Sequence, residues 1–177
     1  MPDPDLVERL DGIPLRALST PTYRHLSVGR QALSGEGARI QGGRWNPKES
    51  FPTLYVALTQ EVVVAEFRRL AERSGRSPTD FLPRELYRIN VELQAVLDLT
   101  DPSTVRTLHV DPARFTADDL IASQAIGDAA HYLGIEAVLA PSAAGTGSVL
   151  AIYTDRLQPT SALVAHLIGA WEDPPGI

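Results

Sequence analysis

The chain has no cysteine among its 177 residues, which excludes disulfides and thiolate metal sites. Its four histidines, at positions 25, 109, 131 and 166, show neither HxxxH nor HExxH spacing, so no metal centre is expected. No apolar stretch approaches the roughly 20 residues that span a bilayer. The first residues, MPDPDLVERLDG, lack a basic start leading into an apolar run. No membrane anchor or signal peptide is therefore expected, and the default is a cytoplasmic protein. Positive charge is scarce as well: 16 Lys and Arg stand against 22 Asp and Glu, a net charge of −6. Phosphate backbones are held by an excess of cations, so direct binding to nucleic acid is disfavoured.

What is present is an ordinary globular composition, 44% apolar and 21% charged, at a length suited to one domain over residues 1–177. The charge is unevenly spread. Residues 21–48 hold Arg24, Arg30, Arg39, Arg44 and Lys48 against the single acid Glu36, giving that stretch +4 and leaving −10 for the rest. A compact basic patch on an acidic chain suits a small phosphorylated ligand better than a duplex; a solvated loop face is the alternative.

Periodicity and turn chemistry predict an α+β fold, a small mixed sheet flanked by helices. A short helix over 4–12 ends at Gly12. A strand carries Tyr23 and Arg24, and residues 28–50, with five glycines and Trp-Asn-Pro, read as a long loop of the kind that is functional or mobile. TLYVAL (53–58) is a strand. Thr59 then caps a helix over about 60–73 that Gly75 terminates. Residues 85–100 form one long strand or a bent pair, and 103–108 a short helix. Residues 117–134 form a helix and 135–142 and 148–154 two buried strands. The apolar segment 162–171 is assigned to the core, with a self-association surface or an antitoxin contact as the alternatives, and a frayed end follows it.

Two features suggest chemistry. Val62, Val63 and Leu70 place Glu66 in the apolar stripe of its helix. A carboxylate there is costly unless it meets a cation or faces a cavity; a surface pair with Arg69 is the alternative. The preceding loop offers glycines whose amides can approach phosphate oxygens, and Arg24 and Arg44 can clamp a pyrophosphate. It contains no Walker A or GxGxxG motif. Trp45 and Tyr55 can stack on a ring or belong to the core. Ser123 lies in the N-terminal half of a helix and Ser142 follows a buried strand; each is a site candidate or a plain capping serine. No Ser-His-Asp arrangement supports acyl-enzyme hydrolysis.

Taken together, YR (23–24), GGRWNP (42–47), LYVAL (54–58), Glu66 within AEF, SQAIGDAA (123–130) and APS (140–142) resemble the RES domain over roughly residues 20 to 155. That family comprises toxins of RES–Xre toxin–antitoxin pairs, and ALSGEGAR resembles its actinobacterial branch. The resemblance implies a fold similar to ADP-ribosyltransferase toxins, destruction of cellular NAD, and a cognate Xre-type antitoxin that covers or plugs the site, in an oligomeric complex that alone contacts DNA. Carried over by position, it implies site roles for Arg24, Gly43, Arg44, Trp45, Asn46, Tyr55 and Glu66, with Ser123 and Ser142 as competing matches to the family serine. Glu66, Arg24 and Tyr55 are the implied catalytic set. NAD is then the substrate and no cofactor is needed.

The chemistry fits: cleaving nicotinamide from NAD builds oxocarbenium character on the ribose, which a carboxylate stabilises. Water as acceptor gives hydrolysis, inorganic phosphate gives phosphorolysis, and a protein side chain gives ADP-ribosylation; the resemblance leans to phosphate. Outside this reading stand a protein mono-ADP-ribosyltransferase and a non-catalytic binding partner. A ribonuclease lacks a convincing His or Lys acid–base pair.

Overall fold

The computed structural model describes residues 1–176. In chain order it contains helix α1 (Pro4–Asp11), strand β1 (Arg16–Ser27), helix α2 (Glu36–Gln41), strand β2 (Thr53–Ala57), helix α3 (Gln60–Ser74), strand β3 (Arg84–Asp98), helices α4 (Pro102–Leu108) and α5 (Ile121–Tyr132), and strands β4 (Ala137–Pro141), β5 (Ser148–Tyr153) and β6 (Ala162–Trp171). Short 3-10 turns lie at Pro78–Phe81 and Pro112–Phe115.

Strand β3 organises the molecule. Leu86, Ile89, Val91 and Leu93 are buried while Arg88, Asn90, Glu92 and Gln94 are exposed, and beyond Gln94 the three successive residues Ala95, Val96 and Leu97 are all buried. Alternation marks the part with one wet face, and the continuous run marks the part covered on both. The run coincides with parallel pairing to β4, from Val96 opposite Ala137 to Asp98 opposite Leu139. The strand order is β1-β2-β5-β4-β3-β6, and β1 also pairs along β3 from Arg16–Val96 to Ser27–Arg84. Five strands therefore close on themselves, with β1 and β2 meeting at one register pair, Tyr23 opposite Ala57. Leu54, Val56, Ile89, Val91, Leu93, Val96, Ala137, Leu139, Leu150 and Ile152 pack together inside this circuit. A second apolar layer forms where α1, α4 and α5 cover the outer face of the sheet, centred on Leu10, Trp45, Leu108, Phe115, Ile126 and Tyr153.

The flank of β3 opposite β1 is shared by β6, which pairs with Arg84–Glu92, and by β4. Fully buried Glu136 fills the junction between them, accepting hydrogen bonds from the amides of Gln94 (2.6 Å), Ala95 (2.7 Å) and Gln158 (2.8 Å). Burial opposes its ionisation, but these donors outweigh it and hold the carboxyl below its ordinary range.

Three sequence expectations are corrected. The stretch 28–50 is not all loop, because Glu36–Gln41 closes into a one-turn-and-a-half helix with Arg39 donating to Glu36 at 2.7 Å. The helix expected from 117 starts at Ile121, whose amide is capped by the Asp119 side chain at 2.9 Å. Segment 162–171 is an outer strand and not central core: Val164, Leu167 and Ile168 are exposed, Leu163 and Ala165 are partly buried against the barrel's apolar cluster, and Trp171 at its end stacks on His25 and meets Phe67 edge-on.

Candidate active site

Helix α3 carries the acidic half of the site. Thr59 caps it by accepting from the Val62 amide at 3.3 Å, and Gly75 ends it in the left-handed conformation (φ 63°). Its buried stripe is Val62, Val63, Phe67 and Ala71, offset from the stripe expected from sequence, and Leu70 is exposed. Glu66 therefore borders the core without entering it. Residues 66, 69, 70 and 73 share a neighbouring helix face, and all four line the same cleft. The expected alternative, a surface pair of Glu66 with Arg69, is not formed: Arg69 reaches Asp118 at 3.1 Å. Glu66 instead accepts a 2.5 Å hydrogen bond from the Ser142 hydroxyl, which in turn accepts the Ala144 amide at 3.1 Å.

The basic half rests on the GGRWNP turn. Gly42 has φ 75°, and at Gly43 a Cβ would lie 2.4 Å from the Tyr55 hydroxyl, so glycine is required there on contact grounds. The Gly43 amide donates to the Asn46 carbonyl at 2.9 Å, closing the turn. The Tyr55 hydroxyl accepts from the Trp45 amide (2.8 Å) and donates to Asn46 Oδ1 (2.7 Å), while Asn46 Nδ2 donates to the Ala38 carbonyl (2.8 Å). Burial drives the Tyr55 phenol well above its ordinary value, so it stays protonated as a donor.

Helix α5 and the end of β5 complete the cradle. Gln124 Nε2 donates to the Gly43 carbonyl at 3.0 Å, and the Tyr153 hydroxyl donates to the Trp45 carbonyl at 3.1 Å. A Cβ at Gly127 would lie 1.9 Å from that same carbonyl. This network presents Arg44, whose Nη1 is held by the Ala117 carbonyl at 2.7 Å.

Between the halves lies a cleft of about 510 Å³ lined by Tyr23, Arg24, Gly43, Arg44, Tyr55 and Glu66 among others. Arg24 donates through Nη1 to the Ala32 (2.7 Å) and Ser34 (3.0 Å) carbonyls. Neither Arg24 nor Arg44 forms an ion pair among the described residues. Burial and then the Arg84 charge pull the Arg24 guanidinium down to about 10, which leaves it charged near neutrality. Burial also lowers Arg44, followed by repulsion from Arg69 and Arg73, with Glu66 and Asp118 opposing. Desolvated cations satisfied only by neutral carbonyls are primed to receive an anion.

The structure thus gathers Arg24, Gly43, Arg44, Tyr55 and Glu66 around one cleft, with Ser142 on Glu66. It separates the two serines: Ser123 is fully buried under the Arg114 carbonyl (3.4 Å) and does not reach the cleft lining. Trp45 borders the cleft, but its side chain has no exposure and packs on Phe115; with Asn46, also buried, it shapes the turn and offers no ring face to a ligand. Of the other cations in the basic stretch, Arg30, Arg39 and Lys48 are absent from the lining. Sequence reasoning missed Arg73 and the cleft role of Arg69, although their i+3 and i+7 spacing from Glu66 carried the signal. It also missed Gln124 as a clamp on the loop, for which one sequence holds no local signal.

The model of the RES domain matches residues 14–172 of this chain. The NAD(+) phosphorylase MbcT of Mycobacterium tuberculosis (strain H37Rv) is 37% identical over 159 residues, covering 89% of this chain and 86% of that protein. A probable NAD(+) phosphorylase of the same organism, Rv3189, is 32% identical over 154 residues, covering 86% and 73%. Among solved structures, a chain of the M. tuberculosis MbcT–MbcA toxin–antitoxin complex superposes with a TM-score of 0.77 at 32% identity, covering 94% of this chain and 93% of that one.

Proposed function

The chain belongs to the RES-domain family, and from that premise and the cleft's geometry we propose that it is the toxin of a toxin–antitoxin pair, cleaving the nicotinamide–ribose bond of NAD with inorganic phosphate as acceptor. The observation that carries this reading is the Glu66 carboxylate, fixed by Ser142 at 2.5 Å and facing two unpaired guanidiniums in a single cleft. NAD offers the matching charges: a pyrophosphate for Arg24 and Arg44, and a cationic nicotinamide whose departure leaves positive charge on the ribose beside Glu66.

In the reaction, a phosphate oxygen forms a bond to the anomeric carbon as the C–N bond breaks. The electron pair of that bond neutralises the nicotinamide ring, which leaves uncharged. The proton of the entering phosphate stays on the new ester and passes to solvent as the ester ionises, so no general base is required. Glu66 lowers the barrier by placing negative charge where positive charge develops. The Ser142 hydroxyl, accepting the Ala144 amide and donating to Oε1, fixes one carboxylate oxygen so that the other is aimed into the cleft without reorganisation. Tyr55 positions the turn through the Trp45 amide and Asn46 and borders the cleft beside Gly43. The dinucleotide is bound as substrate.

The partner is a protein antitoxin, which supplies any contact with DNA, and the cell's own NAD places the action in the cytoplasm. Expression in a bacterial host tests this reading: growth stops and the NAD pool falls, and Glu66→Gln restores both. An unchanged NAD pool during growth arrest would reject it and direct attention to a macromolecular target.

A further inference from the structure

The cleft holds more positive charge than a dinucleotide's pyrophosphate requires. Arg24 and Arg44 lie on the loop and strand side, whereas Arg69 and Arg73 rise from α3 on the face that carries Glu66. A second hollow, of about 330 Å³, opens beside the main cleft and is lined by Glu66, Arg69, Leu70, Arg73 and Ser74. Glu66, Arg69, Leu70 and Arg73 line both, so the two spaces meet at the carboxylate. Arg73 forms no ion pair among the described residues. Arg69 has only Asp118, whose side chain is 89% exposed, and an ion pair open to water in this way is weak and readily exchanged.

Burial first, then the charges of Arg69 and Arg73, lower the Arg44 guanidinium, while Glu66 and Asp118 oppose them, so three guanidiniums converge where the two spaces meet. Against these three cations stand two carboxylates, Glu66 and Asp118, which leaves the junction with positive charge in excess and favours a further anion.

We propose that Arg69 and Arg73 form the binding site for the acceptor phosphate, in the side hollow next to Glu66 and apart from the Arg24–Arg44 pyrophosphate clamp. This rests on the phosphorolysis reading above. A small dianion held there is delivered to the carbon that loses nicotinamide, and two forked guanidiniums suit its oxygens better than they suit water. The hollow's position also explains why one helix face bears a carboxylate and two arginines at i, i+3 and i+7: one turn stabilises the carbon's developing charge, and the next two hold the group that attacks it.

The test is two-substrate kinetics on the full chain, varying phosphate at saturating NAD and NAD at saturating phosphate, with both products quantified. Arg69→Gln and Arg73→Gln each raise the KM for phosphate by about tenfold, the cost of losing one charge-assisted contact, and leave the KM for NAD within about twofold. In both variants the phosphate ester of ADP-ribose remains the product at saturating phosphate, and Arg73→Lys recovers part of the phosphate affinity. Arg24→Gln shows the opposite split. A melting-temperature increase in phosphate over chloride at matched ionic strength, present in the parent and reduced in Arg69→Gln and Arg73→Gln, gives a readout independent of turnover. Phosphate-dependent NAD loss with an unchanged phosphate KM in both variants overturns the assignment to Arg69 and Arg73 alone. NAD loss by the parent that does not depend on phosphate overturns the acceptor reading itself.

Discussion

At the scale of single residues, the decisive contact is Ser142 to Glu66. A serine that is 3% exposed and gives its hydroxyl to a carboxylate aims that carboxylate, so its loss is expected to act on kcat. Ser142→Ala should lower kcat roughly tenfold, the cost of about one charge-assisted hydrogen bond, while the KM for NAD stays nearly constant. Steady-state kinetics separates this from a binding role, in which KM would rise instead. The residues show how far one sequence could be read. Glu66 was legible because a carboxylate near an apolar stripe conflicts with burial, and Arg24 and Arg44 because cations cluster in an acidic chain. Trp45 and Asn46 sit in the right motif, but their side chains turn inward, and side-chain direction within an irregular turn is set by tertiary contacts that no local spacing encodes. The choice between Ser123 and Ser142 was open for the same reason: each follows a plausible motif, and only the approach of α3 to the end of β4 decides it.

At the scale of elements, the GGRWNP turn and helix α5 behave as one unit. Gly127 lets the helix touch the Trp45 carbonyl, and Gln124 clamps the Gly43 carbonyl one turn earlier on the same helix. Gly127→Ala must push the two apart, because the nearest atom is backbone and cannot rotate away. The expected cost is about 2 kcal/mol, in the range of overpacked cores, read by urea denaturation. The KM for NAD should rise as well, because Arg44 rides on the displaced turn. Unchanged stability and KM would show that the helix does not support the loop. The helices and inner strands were readable from caps, glycines and alternation, as for Thr59, Gly75 and the run of β3. The outer strand was not: ALVAHLIGAW is as apolar as a core segment, and its exposure follows from β6 joining a flank of β3 already partly filled by β4, a matter of topology. The short helix α2 was hidden by glycines at 35, 37 and 42 that mark a loop in any local reading.

At the scale of the whole molecule, five strands close on themselves, and the cleft lies where α3, the GGRWNP turn and strands β1 and β2 meet outside that circuit. His25 ties these parts together: its ring packs edge-on to Phe67 of α3 and stacks on Trp171 of β6, and its Nδ1 accepts from Arg84 at 2.7 Å. Burial first, then the charges of Arg84 and Arg24, lower this imidazole to about 3 from its ordinary 6.5. The folded state thus rejects a proton that the unfolded chain accepts between those values. Stability is full above pH 6.5 and falls as the pH drops toward 3, by roughly 2 kcal/mol at pH 5 from this group. Denaturation of the parent and of His25→Gln at pH 7 and pH 5 checks this, with a smaller pH difference expected in the variant and an equal one contradicting it. The central claim concerns the cleft, and the most direct measurement is NAD consumption by the purified chain with and without inorganic phosphate, beside Glu66→Gln. The account predicts loss of NAD that requires phosphate, yields its ADP-ribose ester, and drops by about two to three orders of magnitude in the variant; NAD left intact by the folded, antitoxin-free chain, or consumed equally by Glu66→Gln, would contradict it.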